Sequence, residues 1–346
     1  MGLPSKKHIT VLMIHCFSTR STLWSRLVAG MLTLASGWLI GCSDSDDVAV
    51  VGDWRRRSDF EGVARQAAAG FVINNMAYVG TGTNADNERL TDFWGYDAAR
   101  NTWTQIADYA GTPRFAAVGF AVGNKGYVGT GLDNNSDRLK DFYEYDPATN
   151  AWRKIADYAG SARRNAVAFT IGNKGYVGTG FDGNYLKDFY AYDPAADQWQ
   201  RVASYSGPKR LGAVAFVLDG LGYVVGGNNN GINQKDVWAY DPAQDTWVEK
   251  DEFDDEETVA RSYGVAFTIG SKGYVLLGDG NNTVWEYDPA SDSWSDDRGD
   301  FEGSGRTYAV GFAINGKGYV TTGSVGTGRL DDLWEFDPNK ERDSDD

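Results

Sequence analysis

The sequence predicts an all-β fold in which six successive four-stranded sheets close into a ring. Aromatic residues make up 14% of the 346-residue chain beside 43 glycines, a mixture that favours strands joined by tight turns. Trp54, Trp103, Trp152, Trp199, Trp247 and Trp294 follow one another at intervals of 49, 49, 47, 48 and 47 residues, each within one recurring unit long enough for four strands. The last copy lacks its Trp segment while Trp54 precedes the first complete copy, so the two ends are expected to share a sheet.

Strand one of each unit ends a few residues after Phe71, Phe120, Phe169, Phe216, Phe267 or Phe312, and pairs such as Asp219-Gly220 and Asn315-Gly316 supply a hairpin turn. Strand two carries Tyr78, Tyr127, Tyr176, Tyr223, Tyr274 and Tyr319. It stops four residues later at Gly82, Gly131, Gly180, Gly227, Gly278 and Gly323, where Gly frees the backbone. Strand three holds the pairs Tyr96-Asp97, Tyr145-Asp146, Tyr192-Asp193, Tyr240-Asp241 and Tyr287-Asp288, with Phe336-Asp337 last. Pro147, Pro194, Pro242, Pro289 and Pro338 then preset a turn, which Asn101, Asn150, Asp197, Asp245 or Asp292 closes two residues before Trp.

Strand one is expected innermost, because the positions three and five residues after a repeated Arg hold only Ala or Gly: Ala68, Ala117, Ala166, Ala213, Gly264 and Ala309, then Gly70, Gly119, Ala168, Ala215, Ala266 and Gly311. Crowding at the axis demands small side chains, while Phe, Tyr and Trp fill the wider wedges outside. Pairing the leading segment with the trailing one leaves no open sheet edge at the seam, so loss of 48–60 should destabilise the whole ring.

The Gly-terminated second strand, then Tyr, then Trp, at constant spacing over 54–338, resembles the Kelch-repeat family. That resemblance implies a six-bladed β-propeller of four-stranded blades, closed by the N-terminal strand completing the last blade. The family's double glycine survives only as Gly226-Gly227, with Thr-Gly or Leu-Gly in the other copies. Relatives with this fold include copper galactose oxidases and sialic acid mutarotases, and a fold alone does not choose a function.

Residues 1–41 hold Lys6, Lys7, Arg20 and Arg26, no acid, and an apolar run from Leu27 to Ile40 that is short of the roughly 20 residues needed to span a bilayer. This reads as a signal peptide, and Leu39-Ile40-Gly41-Cys42 resembles the bacterial lipobox, so Cys42 is the expected lipidation site. Ser43-Asp44-Ser45-Asp46-Asp47 follows as an acidic linker. An outer-membrane lipoprotein, possible at the cell surface, is the expected location, with membrane contact through the lipid anchor alone.

Removing the four basic leader residues from 33 Lys and Arg leaves 29 against 48 acids, a net charge of −19. Nucleic acid is therefore not an expected partner. Cys16, His8 and His15 lie in the leader, so the processed chain keeps Cys42 and no His. That composition excludes an internal disulfide, a Cys or His metal site, a Ser-His-Asp triad and copper galactose oxidase chemistry, which needs His ligands and a Tyr-Cys crosslink.

One register, six residues before the strand-one Phe, holds Arg65, Arg114, Arg163, Arg210, Arg261 and Arg306, expected to ring one channel mouth. These are the candidate ligand-binding residues, since guanidinium grips carboxylates bidentately. Against this, a residue repeated in every blade serves the blade, here by pairing with Asp92, Asp141, Asp188, Asp236 and Asp332. A second ring, Phe60, Tyr109, Tyr158, Tyr205, Phe253 and Phe301, reads as a hydrophobic plug. What varies between copies points to binding more directly: the loops 83–91, 132–140, 181–187, 228–235, 279–282 and 324–331. They are rich in Asn, Asp and Gly but lack a Ca²⁺-loop register, so no metal and no cofactor is expected.

The organisation expected is a leader over 1–41, a linker over 42–48, a propeller over 49–338 and a charged tail over 339–346. The function expected is a monomeric binding or scaffold protein for a glycan or protein ligand, with no catalytic residue marked. The alternative is a carbohydrate-active enzyme such as a sialic acid mutarotase or epimerase, with Arg for a carboxylate and Glu88, Glu144 or Glu286 for proton transfer.

Overall fold

The structure is a computed structural model that describes residues 50–251 and 261–342. The leader, Cys42, the linker and Phe253 lie outside the described residues. Six four-stranded antiparallel sheets form the blades of a propeller. The first blade contains Ala69–Ile73, Met76–Gly80, Phe93–Asp97 and Thr102–Gln105, in that order from the axis outward. The innermost strands of blades two to six are Val118–Val122, Val167–Ile171, Val214–Leu218, Val265–Ile269 and Val310–Ile314.

The sixth blade is built from both ends of the chain. Val310–Ile314, Lys317–Thr321 and Leu333–Glu341 come from the C-terminal side, and Val51–Arg56 is the outer strand. Trp54 lies opposite Phe336 and Arg56 opposite Trp334, with a register shift between Val51 and Asp53. The third strand of this blade runs through Pro338 to Glu341, opposite Val51, so residues 339–341 belong to the ring and not to the expected tail. Strand pairing with the N-terminal segment extends the sheet past a proline that ends the third strand elsewhere, and Lys340 Nζ reaches the buried Asp53 carboxylate at 2.7 Å.

Local chemistry sets each turn. Asp219-Gly220 and Asn315-Gly316 have φ of 50° and 77° and of 51° and 77°, the paired left-handed conformation of a two-residue hairpin. The turn residues Asn101, Asn150, Asp197, Asp245 and Asp292 also adopt positive φ, between 50° and 55° for four of them and 49° at Asp197. Each side-chain oxygen accepts from the Tyr hydroxyl of its own blade and from a backbone N–H of the preceding blade. Asn150, for example, takes Tyr145 Oη at 2.9 Å and Ala107 N at 2.9 Å. The Trp indoles make the reciprocal tie, as Trp152 Nε1 donates to Ala107 O at 3.0 Å.

The wedges between blades are aromatic. Phe120 stacks on Tyr127 at 5.1 Å in its own blade and faces Gly175 of the next, where a Cβ would overlap its ring. The Gly before the strand-two Tyr, present in five of the six blades with Ala77 in the first, is therefore a packing requirement of the neighbouring blade. At the closure, Trp54 is 1% exposed, stacks on Phe336 at 4.7 Å and meets Phe301 edge-on at 4.8 Å. Replacing Trp54 by Ala should cost about 3–5 kcal/mol of unfolding free energy, the usual range for a buried aromatic truncation. The same change at the more exposed Trp294 should cost less. Urea titration of both variants checks this, and equal losses would refute a special role for the closing strand.

Candidate functional site

Two closed circuits of backbone hydrogen bonds encircle one end of the channel. In the first, the N–H of Gly82, Gly131, Gly180, Gly227, Gly278 and Gly323 donates to the carbonyl of Arg114, Arg163, Arg210, Arg261, Arg306 and Arg65 of the next blade, at 2.8 to 3.0 Å. In the second, Ala116 N donates to Ala67 O, Asn165 to Ala116, Gly212 to Asn165, Tyr263 to Gly212, Tyr308 to Tyr263 and Ala67 to Tyr308, at 2.8 to 3.1 Å. All six members of this inner circuit have φ between 51° and 64°. For Tyr263 and Tyr308 the left-handed backbone costs on the order of 1–2 kcal/mol each, held by the circuit around them.

The arginine side chains work inside the blades. Arg65, Arg114, Arg163 and Arg210 are 0% exposed. Arg114 grips Asp141 with both terminal nitrogens at 2.7 and 2.8 Å, donates to Thr130 O at 3.0 Å, and donates through Nε to Thr112 O at 2.9 Å. Arg65 with Asp92, Arg163 with Asp188 and Arg306 with Asp332 repeat the bidentate pair, and Arg210 contacts Asp236 at 2.6 Å. Each guanidinium also lies over the preceding aromatic: Phe60, Tyr109, Tyr158, Tyr205 and Phe301, at 4.7 to 5.2 Å. The Arg register thus clamps strands two and three and the incoming connection, and its donors point into the blade. In the fifth blade Thr283 stands where the others have Asp, and Arg261 donates to its side chain at 2.9 Å. Burial pushes Arg261 down to about 10, partly offset by Asp279.

The channel behind the circuits is lined by the small residues expected, including Ala68, Gly70, Ala117, Gly119 and Ala168, around a cavity of about 180 Å³. Its mouth is a further cavity of about 120 Å³ bordered by Ala67, Ala116, Asn165, Gly212, Tyr263 and Tyr308. This border breaks the six-fold symmetry, with small residues on one side and two tyrosines on the other, their rings 4.3 Å apart. Asn165 is 8% exposed, and its amide nitrogen makes no hydrogen bond although it lies near the Tyr308 hydroxyl. Burial pushes both phenols above their ordinary range, and the nearby Arg164 charge works against that rise.

The variable loops surround the same mouth, because each pairs its first residue with the position after the repeated Arg: Gln66 with Thr83, Phe115 with Leu132, Arg164 with Phe181, Leu211 with Asn228 and Thr307 with Ser324. These loops carry arginines of their own. Arg329, Arg89 and Arg138 occupy one register in blades six, one and two, immediately before Leu330, Leu90 and Leu139. Arg89 lies over Phe115 at 4.1 Å, and Arg138 and Arg164 flank Phe181 at 5.3 and 5.5 Å. Among the described residues, Arg89, Arg138, Arg164 and Arg329 form no ion pair. The Nε atoms of Arg89, Arg138 and Arg329 are buried without a hydrogen-bond partner. Burial lowers the Arg89 pKa, with Asp133 acting against it.

Sequence reasoning considered the repeated register for ligand binding and did not single out this second set of arginines. The signal was present in the inner circuit, where Asn165, Tyr263 and Tyr308 depart from Ala and Gly. The carboxylates considered for proton transfer are not gathered at the mouth. Glu144 is bound by Arg153 at 2.7 Å and Tyr127 at 3.0 Å, and Glu286 by Arg298 at 2.7 Å and Tyr274 at 2.7 Å, all within their blades. Glu88 sits in the first loop, where it accepts from Asn84 at 2.9 Å.

A family model described as the KLHDC2/KLHL20/DRC7 Kelch-repeats domain matches residues 55–210, and a Kelch motif model matches residues 209–250. The chain belongs to the Kelch-repeat family of β-propellers. Among solved structures it is similar to one titled "Structure of YjhT", with a TM-score of 0.69 and 18% identity over 80% of this chain and 95% of that one. At that identity the likeness shows the fold alone. No curated protein matches the sequence.

The buried pairs make stability depend on acid. Burial alone would raise the carboxyls of Asp92 and Asp332, but Arg65 and Arg306, with Trp94 and Trp334, hold both below their ordinary value. A carboxyl whose folded pKa lies below its unfolded value of about 3.9 stabilises the fold fully above that pH. The contribution disappears as pH falls through the lower folded value. Unfolding free energy measured against pH should therefore decline below about pH 4. Asp141→Ala, which leaves Arg114 charged and buried, should cost about 3–5 kcal/mol at neutral pH in a denaturant titration. A loss below about 1 kcal/mol would show the pair to be dispensable.

Proposed function

We propose that this protein is a binding propeller, and that its ligand is an acidic glycan held at the channel mouth. The carrying observation is the arc of Arg329, Arg89, Arg138 and Arg164 over four consecutive blades, four cations outside any ion pair among the described residues of an otherwise acidic chain. Guanidinium groups outside any ion pair, in a concave, part-apolar setting, suit a carboxylate, which can accept two N–H donors at once. The Tyr263 and Tyr308 rings offer apolar faces to a sugar, and the Asn165 amide supplies one more donor. The strained tyrosine backbones fit the same reading, since strain collects at binding sites. In this proposal the propeller works outside the cytoplasm as an outer-membrane lipoprotein, tethered through Cys42.

Glycans ending in uronic or sialic acid should bind the fragment from Ser43 onward, and their neutral counterparts should not. Arg164→Ala and Arg138→Ala should each weaken binding about tenfold without lowering the unfolding midpoint, and added salt should weaken it further. Equal binding of acidic and neutral glycans in titration calorimetry would remove the proposal. In cells, Cys42→Ser should move the protein from the membrane fraction to the soluble fraction, whereas unchanged fractionation would remove the anchor.

A further inference from the structure

The third blade departs from the repeat at its rim as well as at the mouth. In three other blades the outer strand carries a residue matched by an acid three positions on: Arg56 with Asp59 at 2.9 Å, Gln105 with Asp108 at 3.4 Å, and Lys154 with Asp157 at 3.2 Å. In the third blade Arg201 occupies that register and Ser204 stands where the acid would be. Lys209 departs likewise, immediately before Arg210, where the other copies have Ala64, Pro113, Ala162, Ala260 and Gly305.

Arg201 and Lys209 border one groove of about 420 Å³ together with Lys187, Tyr185 and Pro208. None of the three cations forms an ion pair among the described residues. The carboxylate in the groove, Asp188, has both oxygens engaged by Arg163 at 2.7 and 2.8 Å. Several lysines elsewhere are matched, as Lys174 is by Asp193 at 3.8 Å and Lys317 by Asp337 at 3.1 Å. The groove is thus a local concentration of uncompensated positive charge.

Tyr185 joins this groove to the mouth. Its ring lies 5.3 Å from Phe181, the ring that Arg138 and Arg164 flank, and it lies close enough to Tyr263 to influence that phenol. Tyr185 thus borders the groove and touches the ring that the two mouth arginines flank.

We infer that the ligand is a polyanionic polysaccharide chain that begins at the mouth and runs outward over the third blade, where Lys187, Arg201 and Lys209 receive the carboxylates of its later units. This rests on the mouth as an acidic-glycan site and adds to it a direction, a length and a second subsite. Repeated carboxylates spaced along a sugar chain match cations distributed along a track, whereas a single acidic sugar would leave the rim unused. Among the described residues, the exposed Ile232, Val325 and Val63 lie in three separate segments of different blades, unlike the contiguous apolar surface that marks a protein partner.

Calorimetric titration of the fragment from Ser43 onward with galacturonic acid and with its octamer tests the inference. The octamer should bind at least about tenfold more tightly than the monomer, from several partly exposed ion pairs acting together. A variant carrying Lys187→Glu, Arg201→Glu and Lys209→Glu should lose that gain, keep the monomer affinity and melt as the parent does. An octamer with no gain, or a gain the triple variant retains, overturns the rim subsite and leaves the mouth standing. An octamer that responds to the triple variant but not to Arg164→Ala supports the rim and overturns the mouth. No binding of either sugar at low salt overturns both.

Discussion

Each repeated arginine joins two levels of the structure through a single residue. In five of the six blades its guanidinium binds an aspartate, a strand-end carbonyl and an aromatic face, and in all six its own carbonyl accepts the glycine N–H of the blade before it. Rigidity within a blade and continuity between blades are thereby fixed at the same backbone position. Burial makes the arrangement demanding, because a guanidinium removed from water must have nearly all its donors satisfied. The requirement recurs in every blade, and so does the residue.

This separates positions that hold the ring from positions free to recognise something. Where five copies agree, the position is taken up by the fold: the strand-two Gly by a neighbouring Phe ring, the turn Asn or Asp by two donors, the Arg by its Asp. Where copies disagree around the mouth, some side-chain donors remain unused, as the Asn165 amide nitrogen and the Nε atoms of Arg89 and Arg138 do. The fifth blade illustrates how far the rule can bend, since Thr283 replaces the carboxylate and burial depresses the Arg261 pKa accordingly.

Charge acts on two scales in this protein. The formal net charge of −15 for the whole chain sets a long-range field that discourages anions, and salt screens it beyond about 8–10 Å. The arginine arc and the rim groove of the third blade are short-range exceptions placed against low-dielectric aromatic walls, where each cation counts for more than it would in open solvent.

The sequence alone determined the number of blades, the order of strands within each, the small residues at the axis and the closure through Trp54. These follow from local rules repeated six times: a turn residue, a strand period and a size limit can each be read within a single copy. It also supplied the pairing of the repeated Arg with Asp as one of two readings. The tertiary structure was needed to bring Asn165, Tyr263 and Tyr308, drawn from three blades, into one circuit, and to set the loop Arg138 of the second blade and Arg164 against one ring, Phe181. Spacing along the chain cannot reveal such neighbours, because the ring closes by folding and each site draws single residues from copies some fifty positions apart.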